Sequence, residues 1–422
     1  MDEFQDTNLV QNQIINELAD KYSNLMVVGD DSQSIYSFRG ANVENILLFP
    51  DKYPECKLIK LEENYRSNIN ILTLTNEIVN QFKIGYKKKL YSSIYRDSLP
   101  RVVVSNTDKL EAINIIDQIK EIQRQELSNF KFKDIAILFR DSFHSNILQL
   151  YLNQAKIKYK LFGGHKFNER KPIKDIIAHL KVLFNPSDRV AWSRVLQLIP
   201  GIGDKNSAKI IDSIRSNKFT LNPSLFLNTS YYDDLVLLQE TFKDYFFDTY
   251  NFYGILERIC SYYQTVLKII DDDYRTREED IKFLLLIAKS YTDVNTFLAD
   301  FSLNPPNPND KENNLALDSE NKPEDMLTLS TIHSAKGLEW KYVFVIHLNE
   351  NYFPNSRAVD SFAKLEEEKR LFYVACTRAK EQLFLTVPMY NHYSKTNRLR
   401  SSRFLTRLPK TVYQLEGGLH SK

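Results

Sequence analysis

Two adjacent carboxylates, Asp2 and Glu3, open the chain in MDEFQDTN, with Gln5, Asp6, Thr7 and Asn8 directly behind them. Acids, amides and a hydroxyl at this density look like the mouth of a nucleotide site, which normally sits at the carboxyl end of a buried strand. Here only Met1 precedes them. A second polar loop follows the apolar run LMVVGD, within VVGDDSQSIYSFRGA (Val27–Ala41). There Gln33 could sense a phosphate, Tyr36 and Phe38 could stack on bases, and Arg39 could hold a nucleic-acid backbone. The two rings could equally tuck into the core. In ENYRSN, Tyr65 and Arg66 could stack an adenine and grip a phosphate, or form an ordinary surface cation–π pair.

Three further stretches set charge between apolar runs. TIHSAKGLEW (Thr331–Trp340) places His333, Lys336 and Glu339 between two candidate strands, where a solvated loop whose charges touch nothing is the simpler reading. EEEKRLFYVACTRAK (Glu366–Lys380) reads as an amphipathic helix with Leu371, Phe372 and Val374 toward a core. Arg378 at its end is either a partner of the helix dipole or an arginine aimed at a γ-phosphate. PGIGDKNSAKI (Pro200–Ile210) reads as a helix–hairpin–helix element. Gly201 and Gly203 permit close approach, and Lys205 with the free N–H groups of the next helix start would meet a DNA phosphate. The other reading is a plain glycine turn capped by Asp204.

The elements that must hold these groups alternate. LMVVGD and CKLIKLEENYRS read as strands, and NINILTLTNEIVNQF as a helix with Asn68 as N-cap. RVVVSN, DIAILFR and IKYKLFGG are strands separated by helices around Leu110–Leu127 and His144–Gln154, which predicts βαβ units and a parallel sheet. From about Asn185 to Leu303 only helical spacing remains. The Pro-, Asn- and acid-rich stretch Ser302–Asp325 reads as a surface linker. Alternation then resumes with MLTLSTIH, KYVFVIHL, a helix from Ala363 to about Thr377, and QLFLTV. A helical block is thus inserted into an α/β domain.

At 422 residues the chain is long enough for two or three domains. Net charge is +2, so a nucleic-acid site must come from local patches rather than a global field. The three cysteines lie far apart with no CxxC pair, which argues against a disulfide framework or zinc module. The acidic start does not resemble a signal peptide, and no apolar run reaches membrane-spanning length. The expected location is cytoplasmic.

Taken in order, DEFQDTN, GDDSQSIYSFRGA, ENYRSN, LSTIHSAKGLEWKYVFV and EEEKRLFYVACTRAK closely resemble the motifs of the UvrD/Rep/PcrA family of superfamily-one DNA helicases. DIAILFR, GGHKFNERKPIKDIIAHL, PGIGDKNSAKI and SRFLTRLP are similar to that family's second motor domain and its inserted accessory domain, so the resemblance covers essentially the whole chain. It implies an α/β fold of RecA-like, P-loop-NTPase-type motor domains, the first truncated, with an inserted, mainly helical accessory domain. The implied boundaries are residues 1–99 for a remnant of the first motor domain, 100–184 and 322–407 for the second, 185–321 for the accessory domain and linker, and 408–422 for a tail.

The implied activity is ATP-dependent 3'→5' unwinding of duplex DNA by translocation on a single strand, in repair or replication. The implied cofactors are ATP and Mg²⁺, and the implied partners are single-stranded and duplex DNA. Asp2 would hold Mg²⁺, Glu3 would activate water, Gln33 would contact the γ-phosphate, and Arg66 and Arg378 would stabilise the transferred phosphoryl group. Tyr65 would stack on adenine and Glu339 would contact the ribose. Tyr36, Phe38, Arg39 and His333 would lie along the single strand, with Gly201, Gly203 and Lys205 on the duplex. The chain departs from the family in what it lacks: none of its eleven glycines opens a G-x-x-x-x-G-K-[ST] loop, and the family's upstream adenine-specifying motif, first single-strand contacts and first accessory domain are absent too. It therefore reads as a fragment starting at the Walker B acids, inactive alone, whose first 99 residues expose apolar faces. The alternative is a non-catalytic DNA-binding remnant or regulatory half that pairs with a separate N-terminal polypeptide.

Overall fold

Ile135–Phe139, IAILF, is buried at every position, the mark of a strand covered on both faces. It lies in the middle of a sheet in the computed structural model, which describes residues 1–22, 24–163, 167, 170–243, 252–271, 274–289, 291, 293–303, 325–391 and 394–417. The strands are β1 (Arg101–Thr107), β2 (Ile135–Phe139), β3 (Tyr159–Phe162), β4 (Leu327–Thr331), β5 (Trp340–Val345), β6 (Ala379–Asn391), β7 (Ser394–Arg398) and β8 (Gln414–Gly417). Their order is β3-β4-β2-β5-β6-β1-β8, all parallel, with β7 antiparallel to β6.

Alternation along the strands sends side chains to two faces. Val343, Val345, Leu383, Leu385 and Val387 join a core with Leu371–Cys376 of the helix Phe362–Cys376 and with Ile71, Leu74 and Ile78 of the helix Ile69–Asn80. On the other face, Thr386 donates to Glu111 of the helix Asp108–Glu126, which Thr107 caps by accepting the Leu110 N–H. The sheet is therefore flanked by helices on both sides, as the sequence predicts.

Two expected strands do not form. Among the described residues there is no named strand before Arg101, so LMVVGD and CKLIKL are extended segments rather than sheet members. The reason is pairing. Among the described residues the Val28 backbone bonds only with Met1 and Phe4, and the Glu62–Asn64 backbone only with Tyr91. A strand needs a ladder on its edges and cover on its faces, so Met26, Leu58, Ile59 and Leu61 stay exposed. Val10, Ile14 and Leu18 likewise form an exposed apolar stripe on the helix Leu9–Ala19. The helix Ile69–Asn80 does form, with Asn68 accepting the Asn70 and Ile71 N–H groups at 3.1 Å.

Packing divides the chain into two compact units, Met1–Gly164 with Ser319–Lys422, and His165–Asp318, so the second is inserted between β3 and β4. The second contains the helices Lys171–Phe184, Arg189–Leu196, Asp204–Ser216, Tyr232–Lys243, Phe252–Ile270, Tyr274–Ala288 and Val294–Leu303. Residues 304–324 of the expected linker lie outside the described residues. Among the described residues no helix is long and apolar enough to cross a membrane.

In the helical unit, His179 is fully buried among Phe242, Tyr262 and Tyr263. Its Nδ1 donates to the Asp175 carbonyl at 2.7 Å, and its Nε2 has no hydrogen-bond partner. Burial lowers its pKa to about 4. The unfolded chain takes up a proton near pH 6.5 that the folded unit refuses until about pH 4. Stability is thus complete above pH 6.5 and is lost as pH falls through that window, by about 3 kcal/mol in total. Urea unfolding followed at Trp192, in a Trp340→Phe background, is expected to show this acid limb, and His179→Gln is expected to flatten it. An identical limb in the variant refutes the assignment.

Candidate nucleotide and single-strand site

The helix Phe362–Cys376 ends against the sheet, and Thr377 and Arg378 link it directly to β6. This junction holds Arg378 almost fully buried, at 1% exposure. Its guanidinium meets four neutral oxygens: Val374 O at 3.1 Å, Leu338 O at 3.1 Å, Gln33 Oε1 at 3.2 Å and Thr377 Oγ1 at 3.0 Å. Burial first, and the Arg66 charge second, lower its pKa to about 10. A buried cation facing a second cation, with no carboxylate among its hydrogen-bond partners, is arranged to receive an anion.

Gln33 reaches Arg378 from a loop built by Asp30. The Asp30 carboxylate accepts from Ser32 N and Gln33 Nε2, each at 2.9 Å, and pairs with Lys88, whose Nζ lies 5.1 Å above the Tyr373 ring. The loop is tied to the chain's first residues by Gln5, which accepts from Asp30 N at 3.0 Å and donates to Glu3 Oε2 at 2.6 Å. Only glycine permits that approach at position 29, because a Cβ there would lie 2.3 Å from Gln5 Oε1. Glu3 itself sits in the left-handed region at φ 49°, exposed to solvent. Asp2 is also exposed, and its carboxylate accepts the Glu3 N–H at 2.9 Å. Lys336 closes this side: Nζ pairs with Asp6, donates to Gln33 O at 2.8 Å and lies 3.9 Å from Glu3 Oε2.

Across the same cleft, Arg66 Nε pairs with Glu339, which Lys380 also holds at 2.6 Å. The Lys380 and Arg66 hydrogen bonds lower the Glu339 pKa. Tyr65 stands 75% exposed beside them, its ring open to a planar ligand.

Beyond Gln33 the loop turns outward and forms an aromatic cluster. Tyr36 and Phe38 are 6.0 Å apart, and Phe38 stands edge-to-face on His333 at 5.2 Å. Arg39 lies 5.3 Å and 5.5 Å from the two rings, and Lys336 lies 5.0 Å from Tyr36. Tyr36 Oη donates to His333 O at 3.2 Å. Phe38 is 64% exposed, so it is not a core ring. Burial, then Arg140 and Arg39, lower the His333 pKa to about 4, which leaves it neutral at physiological pH.

The structure thus gathers Glu3, Gln33, Arg66, Glu339 and Arg378 on one side of the loop, and Tyr36, Phe38, Arg39 and His333 on the other. Gly201, Gly203 and Lys205 belong to the helical unit. Gly201 takes φ +86° in the turn, Gly203 N-caps Asp204–Ser216 without a side-chain cap, and Lys205 is exposed. Asp204 does not cap this helix; its carboxylate accepts from Gln197 Nε2 at 2.7 Å. The sequence reading assigned no role to Lys88, and left Lys336 in a loop touching nothing. Lys88 lies in a run of three lysines, where nothing marks which one turns inward.

Two family models match the chain: the UvrD-like helicase C-terminal domain over residues 59–390 and the UvrD/REP helicase N-terminal domain over residues 1–54. The chain belongs to the UvrD-like helicase family. It is 31% identical over 451 residues to the ATP-dependent DNA helicase PcrA of Staphylococcus epidermidis, covering 99% of this chain and 59% of that protein. It is 35% identical over 440 residues to the probable DNA helicase II homolog of Mycoplasma capricolum, covering 99% and 58%. It is 32% identical over 435 residues to PcrA of Bacillus subtilis, covering 98% and 58%. The chain therefore spans somewhat under three-fifths of the length of these UvrD-like relatives. Its mixed α/β architecture, with a seven-stranded parallel path, is of the RecA-like kind that the motifs imply.

Proposed function

We propose that this chain takes part in ATP-driven 3'→5' unwinding of DNA, in repair or replication, with the nucleotide between its first hundred residues and the sheet domain. The observation that carries the reading is Arg378, a buried guanidinium bonded to Gln33 and set beside Arg66, whose hydrogen-bond partners are all neutral oxygens. On this reading ATP is the substrate. Gln33, Arg66 and Arg378 meet its terminal phosphate, Tyr65 stacks on adenine, and Glu339 takes the ribose in exchange for its present cations. The exposed Asp2 carboxylate fits the sparse protein ligation that Mg²⁺ accepts when phosphates supply its other ligands. Bound there, the ion would screen phosphate charge, while Glu3 orients and deprotonates water. Tyr36, Phe38, Arg39 and His333 carry the single strand, and Gly201, Gly203 and Lys205 meet duplex phosphates.

DNA binding tests this reading without requiring turnover. Titration of a labelled tailed duplex is expected to show binding without nucleotide that weakens steeply with salt, because phosphate contacts dominate such affinity. Lys205→Glu is expected to weaken binding and lower the salt slope by about one. His333→Ala is expected to weaken it by removing the edge that holds Phe38. Unchanged curves for both variants would show that the surface is misassigned. A second reading, DNA binding without catalysis, is favoured by one observation: the 422 residues hold no P-loop sequence. ATPase measurement separates the two.

A further inference from the structure

The loop that carries both Gln33 and the aromatic cluster is fastened at two points to one helix. At the inner end, Arg378, two residues past the helix Phe362–Cys376, donates to Gln33. At the outer end, Glu367 accepts the Ser37 N–H at 3.1 Å through one carboxylate oxygen and the Ser37 hydroxyl through the other. Glu367 lies nine positions before the helix end at Cys376, about 14 Å of helical rise, and Gln33 to Ser37 runs the opposite way along it. Ser37 sits between Tyr36 and Phe38, so this bidentate grip fixes the backbone from which both rings project.

The geometry points to Glu367 as the positioning residue that clamps the single-strand platform onto the arginine-bearing helix. Glu367 touches neither nucleotide nor DNA on this reading. It acts through Ser37, holding Tyr36 and Phe38 in register with the helix whose far end receives phosphate. A shift of that helix is then carried to the stacking rings through two fixed attachments rather than through a flexible loop. The Ser37 side is exposed and Glu367 is half-buried. The contact therefore contributes little to the core and serves the loop.

The inference rests on the strand-binding reading of the loop, and the sign of one effect isolates it. Removing a carboxylate beside DNA should by charge alone tighten binding. If Glu367 positions the platform, Glu367→Ala must instead weaken it. The experiment is anisotropy titration of labelled oligothymidylate with the full 422-residue chain at two salt concentrations, alongside thermal unfolding. Glu367→Ala is expected to lower affinity about five- to tenfold, the scale of a charge-assisted hydrogen bond partly expressed in binding.

Glu367→Gln, which can still accept from Ser37 N and donate to its hydroxyl, is expected to bind like the parent. Ser37→Ala should give a smaller loss, and the double Ser37→Ala/Glu367→Ala variant should be no weaker than Glu367→Ala. Melting temperatures should be unchanged. Equal or tighter binding by Glu367→Ala overturns the inference, as does Glu367→Gln behaving like Glu367→Ala. Should Glu367→Ala fail to fold, parent-like affinity of Ser37→Ala overturns it instead. Phe38→Ala serves as the control. If it leaves affinity intact, the strand-binding reading itself falls; if it weakens binding while Glu367→Ala does not, only the clamp falls.

Discussion

The 422-residue chain alone is expected to show no ATP turnover stimulated by single-stranded DNA. Phosphoryl transfer depends on positioning and on charge stabilisation at the transferred group, with little covalent chemistry for the protein to perform. On the proposed reading Arg378, Arg66 and Gln33 would stabilise charge, and Glu3 is tied to Gln33 through Gln5 and Asp30. What these residues lack is the backbone nest and lysine of a P-loop, which supply most β- and γ-phosphate binding. A steady-state assay decides the matter: turnover near about 1 s⁻¹ that Glu3→Gln abolishes would overturn the expectation.

The complementary experiment joins the chain behind a P-loop-bearing segment taken from a family member, placed ahead of Asp2 and Glu3. Turnover should then appear, and Arg378→Ala should reduce it about a thousandfold, the lower end for an arginine that stabilises the transferred phosphoryl group. An active chimaera indifferent to Arg378 would place the catalytic charge elsewhere.

Much of the sheet domain was legible in the sequence because its strands are buried on both faces. RVVVSN, DIAILFR, MLTLSTIH, KYVFVIHL and QLFLTV each announce themselves as apolar runs, and each lies in a parallel strand. The same signal misled in the first hundred residues. LMVVGD has the composition of a buried strand, but composition records what a segment is suited to, and the ladder partners decide whether it pairs.

The site divides in the same way. The candidate residue types could be picked out at Gln33, Tyr65, Arg66, Glu339 and Arg378, since amides, arginines and aromatics in polar loops limit the chemistry available. Their couplings were not visible. Ser37 meets Glu367 across 330 positions, and Lys336 meets Asp6 across another 330. A carboxylate on an amphipathic helix looks solvated until the fold brings a partner to it. Lys336 shows the error most directly: the simpler reading left it touching nothing, and it is one of the most enclosed cations of the cleft, with its side chain 7% exposed.

Asp175→Ala is expected to destabilise the helical unit strongly. Asp175 lies on the helix Lys171–Phe184 at 1% exposure. One carboxylate oxygen accepts from Arg194 Nε at 2.7 Å and lies 2.7 Å from Nη2; the other accepts from Tyr263 Oη at 2.6 Å. Burial and then the Asp175 charge push the Tyr263 pKa up, so the phenol stays a donor at every physiological pH. Three helices, Lys171–Phe184, Arg189–Leu196 and Phe252–Ile270, therefore converge on one carboxylate.

Removing that carboxylate strands a fully buried Tyr263 hydroxyl and takes the acid from Arg194, whose own side chain is 39% exposed and can turn to water. Breaking a buried pair from one side costs about 3–5 kcal/mol, and the exposure of Arg194 argues for the lower part of that range. Tyr263→Phe, which removes one hydrogen bond to a charged group, should cost about 1.5–3 kcal/mol. Denaturant unfolding followed at Trp192 gives both values. If Asp175→Ala costs no more than Tyr263→Phe, the Arg194 contact contributes nothing, and the three helices are held by apolar packing around Leu180, Val195 and Leu256 alone.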